Sequence, residues 1–545
     1  MTLKKMEIPK LSLFWQYLEY WAKKDSNFPS IRYINKILTA GELHELTDKL
    51  AMAFLDYGLK KGDTIVTILP TIPEFVLTFM AANKIGVITI PMDKEYKKAD
   101  FKRLIPQSSP KIIITLDKWQ NNKIADNLQE LKEEFGDIQF IIVGNHDLGI
   151  KFEKLMVKEY HLEKELKKVK ESQRKEDCML VIWTGGTTGF PKAVELTNLN
   201  VIEMCFFEYQ YLFNIFTKLD VIKETSRIKF LVNLPVSHVG GTIELLGTGI
   251  LGGLEMILQA SWSPWDSLKA MKLYKLPFMG GVPTMFKIFL SIPDLDNYEP
   301  KKYIKLVLIS GEKCSLELLM GIKERICNNI TIGYGSTEAG SEVTFTDLND
   351  EIEKIAEGYV GKPLPGMEII IGDENGKELT QGEKGEILVK GPLTSKSYFR
   401  MPEEDKVGFT TDGYCKTGDL GYLDKNGGLY IVGRIKEIIR VGGYTVIPAE
   451  IEELVLSHPK VAIVAAIGAP DEIHGEVVWL VIGPELGKKF EKNDEKEILE
   501  MCKKNLAKFK VPKKIIVYPL DPNDLPITRI GKVDKVRLKK ELLTK

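Results

Sequence analysis

Between Thr64 and Val143 the chain repeats one pattern, a short apolar run followed by a stretch of helical length and then another apolar run. The runs are Thr64 to Leu69, Gly86 to Ile90, Lys111 to Thr115 and Ile138 to Val143, and Pro73 to Lys84 reads as the helix between the first two. Strands separated by helices of this length predict α/β layers with largely parallel sheet. The total of 545 residues sets a starting expectation of roughly three to four domain-sized units and excludes a small stapled scaffold.

Charge and cysteine usage narrow the class further. Lys and Arg number 75 against 76 Asp and Glu, so bulk attraction to nucleic acid or anionic lipid finds no support. Cys178, Cys205, Cys314, Cys327, Cys415 and Cys502 lie far apart without a CxxC pair, and no HExxH occurs, which argues against a disulfide framework or a structural zinc. A reducing, cytoplasmic compartment is the expectation. Leu11 to Trp21 is interrupted by Gln16 and Glu19, so no signal-peptide core is read there. The longest apolar stretch, Val239 to Ala260, carries Glu244 and Glu255 and reads as a buried helix and strand, not a membrane span.

Lys151 to Asp177 is dominated by Lys and Glu and predicts a solvated helix or linker, after which Met179 to Trp183 is a buried strand by composition. A second change falls near residue 435, where glycine-dense sequence gives way to a new pattern. Glu450 to Ser457 and Glu495 to Lys508 read as helices, and Val461 to Gly468 and Glu476 to Ile482 as strands. Those roughly 110 residues are enough for a separate α+β domain.

Directly after the Met179 to Trp183 strand come Thr184, Gly185, Gly186, Thr187, Thr188, Gly189, Phe190, Pro191 and Lys192. The glycines allow close backbone approach to an anion, the threonines supply hydroxyl donors and the lysine supplies charge, which suits a polyphosphate. Pro191 before the lysine and Ala193 after it exclude a Walker A loop, and an ordinary glycine-rich turn is the alternative. Gly247 to Gly252 also fits GxGxxG with Asp266 downstream, but Thr242 to Leu246 before it reads as helix. Close helix packing, or room for a ligand, is the expectation for those glycines.

Four further segments follow in order: Tyr334-Gly335-Ser336-Thr337-Glu338, Thr417-Gly418-Asp419-Leu420, Gly433-Arg434-Ile435-Lys436-Glu437, and Pro526 to Asp534 containing Lys532. With the threonine/glycine loop they resemble the adenylate-forming superfamily of acyl- and aryl-CoA synthetases, nonribosomal adenylation domains and luciferases. The secondary matches are Leu234 to His238, Gly280 to Thr284 and Gly442 to Glu452. The resemblance implies a large multi-subdomain adenylation domain over 1–435, with layered sheets and helices, and a small mobile α+β lid over 436–545.

The same resemblance implies roles that the chemistry makes intelligible. Joining a carboxylate to the α-phosphorus of ATP brings two anions together and requires cationic screening. Thr184 to Gly189 and Lys192 would hold phosphates, and Thr337 and Glu338 would meet phosphate and Mg²⁺, with Glu338 the one metal-ligating carboxylate. Asp419 would accept the ribose hydroxyls beside Arg434, and Tyr334 would stack on adenine opposite Ser310-Gly311-Glu312, where Glu312 departs from the usual small residue. Lys532 would bridge carboxylate and α-phosphate, and Lys436 would be the hinge. Turning about it would bring Arg440, Gly442 and Gly443 to CoA for the second half-reaction.

His238 takes the position that gates the carboxylate in the family. The small and aliphatic residues from Val239 to Ala260 suggest an elongated apolar tunnel, favouring a medium- or long-chain fatty acid. Aryl acids, or loading of a carrier protein in place of CoA, stay open as alternatives. The implied partners are thus a small carboxylic acid, ATP and CoA, without nucleic acid or a transmembrane segment, and a homodimer is compatible with this reading.

Overall fold

A computed structural model of the chain describes residues 8–184, 191–221, 228–485, 488, 490–518, 526 and 533–543. The repeating N-terminal pattern forms a seven-stranded sheet in the order Ile150–Lys151, Gln139–Val143, Ile112–Leu116, Thr64–Ile68, Ile88–Pro91, Cys178–Thr184 and Lys192–Thr197. All neighbours are parallel except the last pair. Every residue of Thr64–Ile68 is buried, as expected of a central parallel strand covered on both faces. The predicted Pro73–Lys84 helix is present with those bounds, and Pro73 sits at its first turn, where its missing N–H costs nothing.

A five-stranded sheet follows the order Phe278–Gly281, Leu306–Ile309, Ile330–Ser336, Ser341–Phe345 and Lys362–Pro363. Its first three strands are parallel and the rest antiparallel. The carboxyl ends of the parallel strands lead into Val282, the Ser310-Gly311 turn and Tyr334, the edge at which open α/β sheets bind ligands. A four-stranded sheet joins Lys229–Val232, Glu255–Leu258, Pro29–Tyr33 and Lys36–Thr39, and an antiparallel one joins Glu368–Gly372, Gly385–Lys390, Cys415–Leu423 and Leu429–Arg434.

One continuous apolar cluster, from Leu13 to Leu429, packs all four of these sheets together. The starting expectation of three to four independent units is corrected accordingly, because the sheets share a core. Apart from a small satellite of Leu231, Ile257 and Leu276, the separate clusters start at Ile439 and lie within the C-terminal segment. There, Ile439–Val441, Tyr444–Val446, Val461–Asp471, Gly475–Pro484 and Lys514–Val517 form a sheet carrying the helices Pro448–Leu456 and Lys492–Asn505, close to the predicted strands and helices. Lys313 and Glu453 pair at 2.7 Å between body and C-terminal domain.

Val239 to Ala260 folds as expected into buried helix and strand, but the helix over Gly240–Gly247 is a π-helix. Such segments are rare and concentrate at functional sites. The glycines of the GxGxxG lookalike are there for packing. A Cβ at Gly249 would overlap Met256, and one at Gly252 would overlap the Tyr209 ring. The six cysteines are free, and among the described residues no helix is long and apolar enough to cross a membrane.

Candidate active site

Thr184 and Lys192 face each other across an antiparallel pair, and the Thr184 hydroxyl donates to the Lys192 carbonyl at 3.3 Å. The two ends of the threonine/glycine loop are therefore clamped together. Gly185, Gly186, Thr187, Thr188 and Gly189 lie outside the described residues, as does Lys532.

Lys192 enters the site from its strand, and its Nζ donates to the Tyr398 hydroxyl at 3.4 Å while lying 4.6 Å from the ring centroid. The same hydroxyl donates to Glu338 Oε1 at 3.3 Å. Glu338 is half-buried next to Thr337, which is buried, and its carbonyl accepts from the Ser395 N–H at 2.9 Å. Burial, and then Glu338, push the Tyr398 phenol far above its ordinary range, so it stays a neutral donor. Among the described residues Glu338 has no ion-pair partner, so its carboxylate meets the requirement of a hard divalent cation for an oxygen ligand.

A second cluster adjoins the first. Tyr334, at the carboxyl end of its strand, donates its hydroxyl to Asp419 Oδ2 at 2.9 Å. Arg434 Nε meets Asp419 Oδ1 at 2.8 Å, and the two residues are cross-strand partners in register. Asp419 is 4% exposed. Burial, and next the Asp419 carboxylate, hold the Tyr334 phenol well above its usual pKa. Asp419 is thus an ionised acceptor with two oxygens, the type of group that can receive hydroxyl donors. Gly311 takes φ +88°, a conformation suited to glycine, in the turn after the strand parallel to that of Tyr334.

Lys436 ties the clusters together electrostatically. Its ammonium is lowered in pKa by burial first, and then by Lys192 and Arg434, against Glu386 and Glu338. It sits in a short 3₁₀ turn, Ile435–Glu437, between body and C-terminal domain. Beyond it Gly442 and Gly443 make the turn of a hairpin at φ +55° and +83°, and exposed Arg440 donates to Thr445 Oγ1 at 2.7 Å. These three stand on the C-terminal domain, apart from the nucleotide-type residues of the body.

His238 precedes the π-helix and is exposed, so it is not a packed core histidine. Its Nδ1 accepts from the Gly240 N–H at 3.3 Å. A Cβ at Gly240 would sit against Leu234 Cδ1 at 3.0 Å, 3.6 Å from His238 Nδ1 and 3.5 Å from Glu244 Oε2, so both polar groups face this position. Glu244 in turn hydrogen-bonds Ser341, which also donates to Glu342 at 2.9 Å, while Glu208 accepts from Thr248 at 3.1 Å. All three carboxyls are buried. Burial foremost, and then Glu342, push Glu244 and Glu208 well above the usual carboxylate range. No ion pair to any of the three occurs among the described residues.

Sequence reasoning singled out Glu244 but not Glu208 or Glu342, because an acidic residue in a helix or a Ser-Glu-Val-Thr-Phe strand reads as solvated. Tyr398 and Glu386 were missed as well, since a tyrosine in Lys-Ser-Tyr-Phe-Arg carries no local signal of what it faces.

An α/β body with its own small C-terminal domain, and a Tyr-Asp-Arg cluster beside a Lys-Tyr-Glu cluster, define an adenylate-forming fold. The chain belongs to the AMP-binding enzyme family, whose sequence profile matches residues 18–399, and the profile of the AMP-binding enzyme C-terminal domain matches 450–532. It is 30% identical to the oxalate–CoA ligase of Arabidopsis thaliana, over 95% of this chain and 96% of that protein. It is also 30% identical to a long-chain-fatty-acid–CoA ligase of Bacillus subtilis (strain 168), over 94% and 91%. Among solved structures, o-succinylbenzoate coenzyme A synthetase from Bacillus subtilis in complex with ATP and magnesium ion aligns with a TM-score of 0.77 at 26% identity, covering 97% of this chain and 99% of that one.

Proposed function

We propose that the chain is an ATP-dependent acid–CoA ligase acting in two half-reactions. The observation that carries this reading is that Arg434 of the Tyr334–Asp419–Arg434 cluster feels the charge of Glu338 of the Lys192–Tyr398–Glu338 cluster, with Lys436 within reach of both. In the first half-reaction an acid carboxylate attacks the α-phosphorus of ATP and pyrophosphate leaves. Thr184 to Gly189 and Lys192 take the β- and γ-phosphates, Asp419 accepts the ribose hydroxyls with Arg434 alongside, and Tyr334 and Gly311 border the adenine. Lys532 spans carboxylate and α-phosphate. Magnesium, when bound, screens phosphate charge, and Glu338 beside Thr337 would hold it.

In the second half-reaction the CoA thiol attacks the acyl carbonyl and AMP leaves. A lid of residues 436–545 turning about Lys436 would present Arg440, Gly442 and Gly443 to the incoming thiol ligand. The split of the apolar cores between residues 429 and 439 supports that boundary.

For the acid itself, the aliphatic residues after His238 favour a medium- or long-chain fatty acid. The buried Glu208–Glu244–Glu342 group favours a second reading, in which the acid brings a hydrogen-bond-donating or cationic group that meets Glu244 past His238. The relatives act on acids as different as oxalate and long-chain fatty acids by their names, so they do not choose between these.

The deciding experiment supplies ATP, Mg²⁺ and a panel of alkyl, aryl and amino-bearing acids, and follows AMP release with and without CoA. Release that depends on both acid and CoA supports the ligase. AMP formation indifferent to CoA overturns it while sparing adenylation.

A further inference from the structure

Lys192 and Glu338 are the cation and the anion that the proposed function assigns to polyphosphate and to Mg²⁺. Opposite charges this close would ordinarily collapse into a salt bridge. They do not pair here, and among the described residues neither has any ion-pair partner. Tyr398 stands between them, accepting from Lys192 at 3.4 Å and donating to Glu338 at 3.3 Å, with its ring 4.6 Å from the ammonium.

The placement of this side chain is over-determined. Tyr398 is 3% exposed, and its N–H donates to Asp405 Oδ1 at 2.6 Å. It bridges Val194 on the strand that carries Lys192, and the next residue, Phe399, donates to the Ala193 carbonyl at 2.7 Å. Three residues earlier, Ser395 donates to the carbonyl of Glu338 itself. Gly408 leaves room for the ring, since a Cβ there would overlap it. One short segment is thus tied both to the strand bearing the cation and to the residue bearing the anion.

We propose that Tyr398 is a positioning residue, a neutral spacer that keeps Lys192 and Glu338 from pairing with each other and so leaves both groups available to MgATP. The inference rests on the proposed function for the roles of those two groups. With the spacer, ligand binding exchanges two long hydrogen bonds, at 3.4 and 3.3 Å, to a neutral phenol. Without the hydroxyl, a direct ion pair must open first.

The test measures binding of a non-hydrolysable MgATP analogue by calorimetry to wild type, Tyr398→Phe, Glu338→Gln, Lys192→Ala and the Tyr398→Phe/Glu338→Gln double variant, with acid-dependent pyrophosphate exchange alongside. Tyr398→Phe should weaken the analogue about tenfold, or about 1.4 kcal/mol, with the KM for the acid unchanged. The deficit should shrink at high ionic strength, where a new ion pair is screened. It should also vanish in the Glu338→Gln background, where no pair can form. Wild-type affinity in Tyr398→Phe, or an effect additive with Glu338→Gln and blind to salt, overturns the inference alone. Wild-type protein that binds no MgATP, or that binds it as well after Lys192→Ala, overturns the proposed function and this inference with it.

Discussion

Glu244→Gln is the substitution that separates the two readings of the acid. Glutamine is isosteric and keeps a hydrogen bond to Ser341, but it removes a carboxyl buried with Glu342 and Glu208 and with no cation nearby among the described residues. Keeping a proton at pH 7 costs the folded carboxyl about 1–3 kcal/mol, at about 1.4 kcal/mol per unit of pKa, and glutamine has no proton to keep. A cooperative body of several hundred residues has an unfolding entropy near 1 kcal/mol/K, so the melting temperature at pH 7 should rise by about 1–3 °C. The sign with pH is fixed by direction. The pKa of Glu244 is raised by burial first and then by its acidic neighbours. The folded state therefore keeps a proton that the unfolded chain releases. That stabilisation is complete below the unfolded pKa near 4.5 and is lost as pH climbs through the folded value. Glutamine should flatten this decline, seen as a melting temperature less dependent on pH above 5. If the acid brings an ammonium group, losing a charge-assisted bond of about 1.5–3 kcal/mol should lower kcat/KM for it roughly 10- to 150-fold, with simple alkyl acids unaffected. A melting temperature that drops, together with an acid panel that does not change, would show that the carboxyls are a packed hydrogen-bonded group and nothing more.

Other expectations follow from the same geometry. Lys532→Ala should abolish acid-dependent pyrophosphate exchange while thioester formation from supplied acyl-AMP survives, and equal loss of both would contradict the proposed division of labour between the two half-reactions. Asp419→Asn should weaken AMP and ATP alike by about 10- to 100-fold in calorimetry, since it removes the acceptor shared by Tyr334 and Arg434. Equal affinity would remove Asp419 from the nucleotide site. Lys84 is fully buried with Asp48, Thr47 and His44, and burial lowers its pKa to about 8. Between pH 8 and 10.5 the unfolded chain holds a proton that the folded one lacks, so this group makes stability rise with pH by up to about 3 kcal/mol. Lys84→Met should erase that rise in melting curves, with Asp48 still held by Lys170 at 3.0 Å.

What the sequence could convey followed from how locally each feature is encoded. The strands from Thr64 to Val143 and the Pro73–Lys84 helix were legible because a buried parallel strand needs a continuous apolar run and a proline marks a first turn. The GxGxxG lookalike was correctly set aside on the helix before it, and the structure supplies the reason in Met256 and Tyr209. Thr184, Lys192, Tyr334, Glu338, Asp419 and Arg434 were legible as motifs. That Asp419 and Arg434 are register partners was not, because pairing across a sheet is a property of topology. Tyr398 and the joining of Glu208 to Glu342 around Glu244 were invisible for the same reason: the partners are many residues apart, and no periodicity reports which buried surface a strand will face.

The two ends of the site handle charge in opposite ways, and on the proposed roles the difference has a physical reason. Asp419 and Arg434 pair directly at 2.8 Å on neighbouring strands. A hydroxyl-bearing sugar carries no charge, so meeting it does not require that ion pair to open. A polyphosphate and a divalent cation are different: each needs the full charge of an opposite group, and a pre-existing salt bridge between Lys192 and Glu338 would compete with both ligands at once. Placing a buried phenol between those two groups removes the competition at the cost of one fixed side chain. The same reasoning makes the acidic group around Glu244 stand out, because it has neither device. It contains no cation among the described residues, and the hydroxyls of Ser341 and Thr248 satisfy only part of its acceptor capacity. On the second reading of the acid, a hydrogen-bond-donating or cationic group brought in past His238 would complete that carboxyl group.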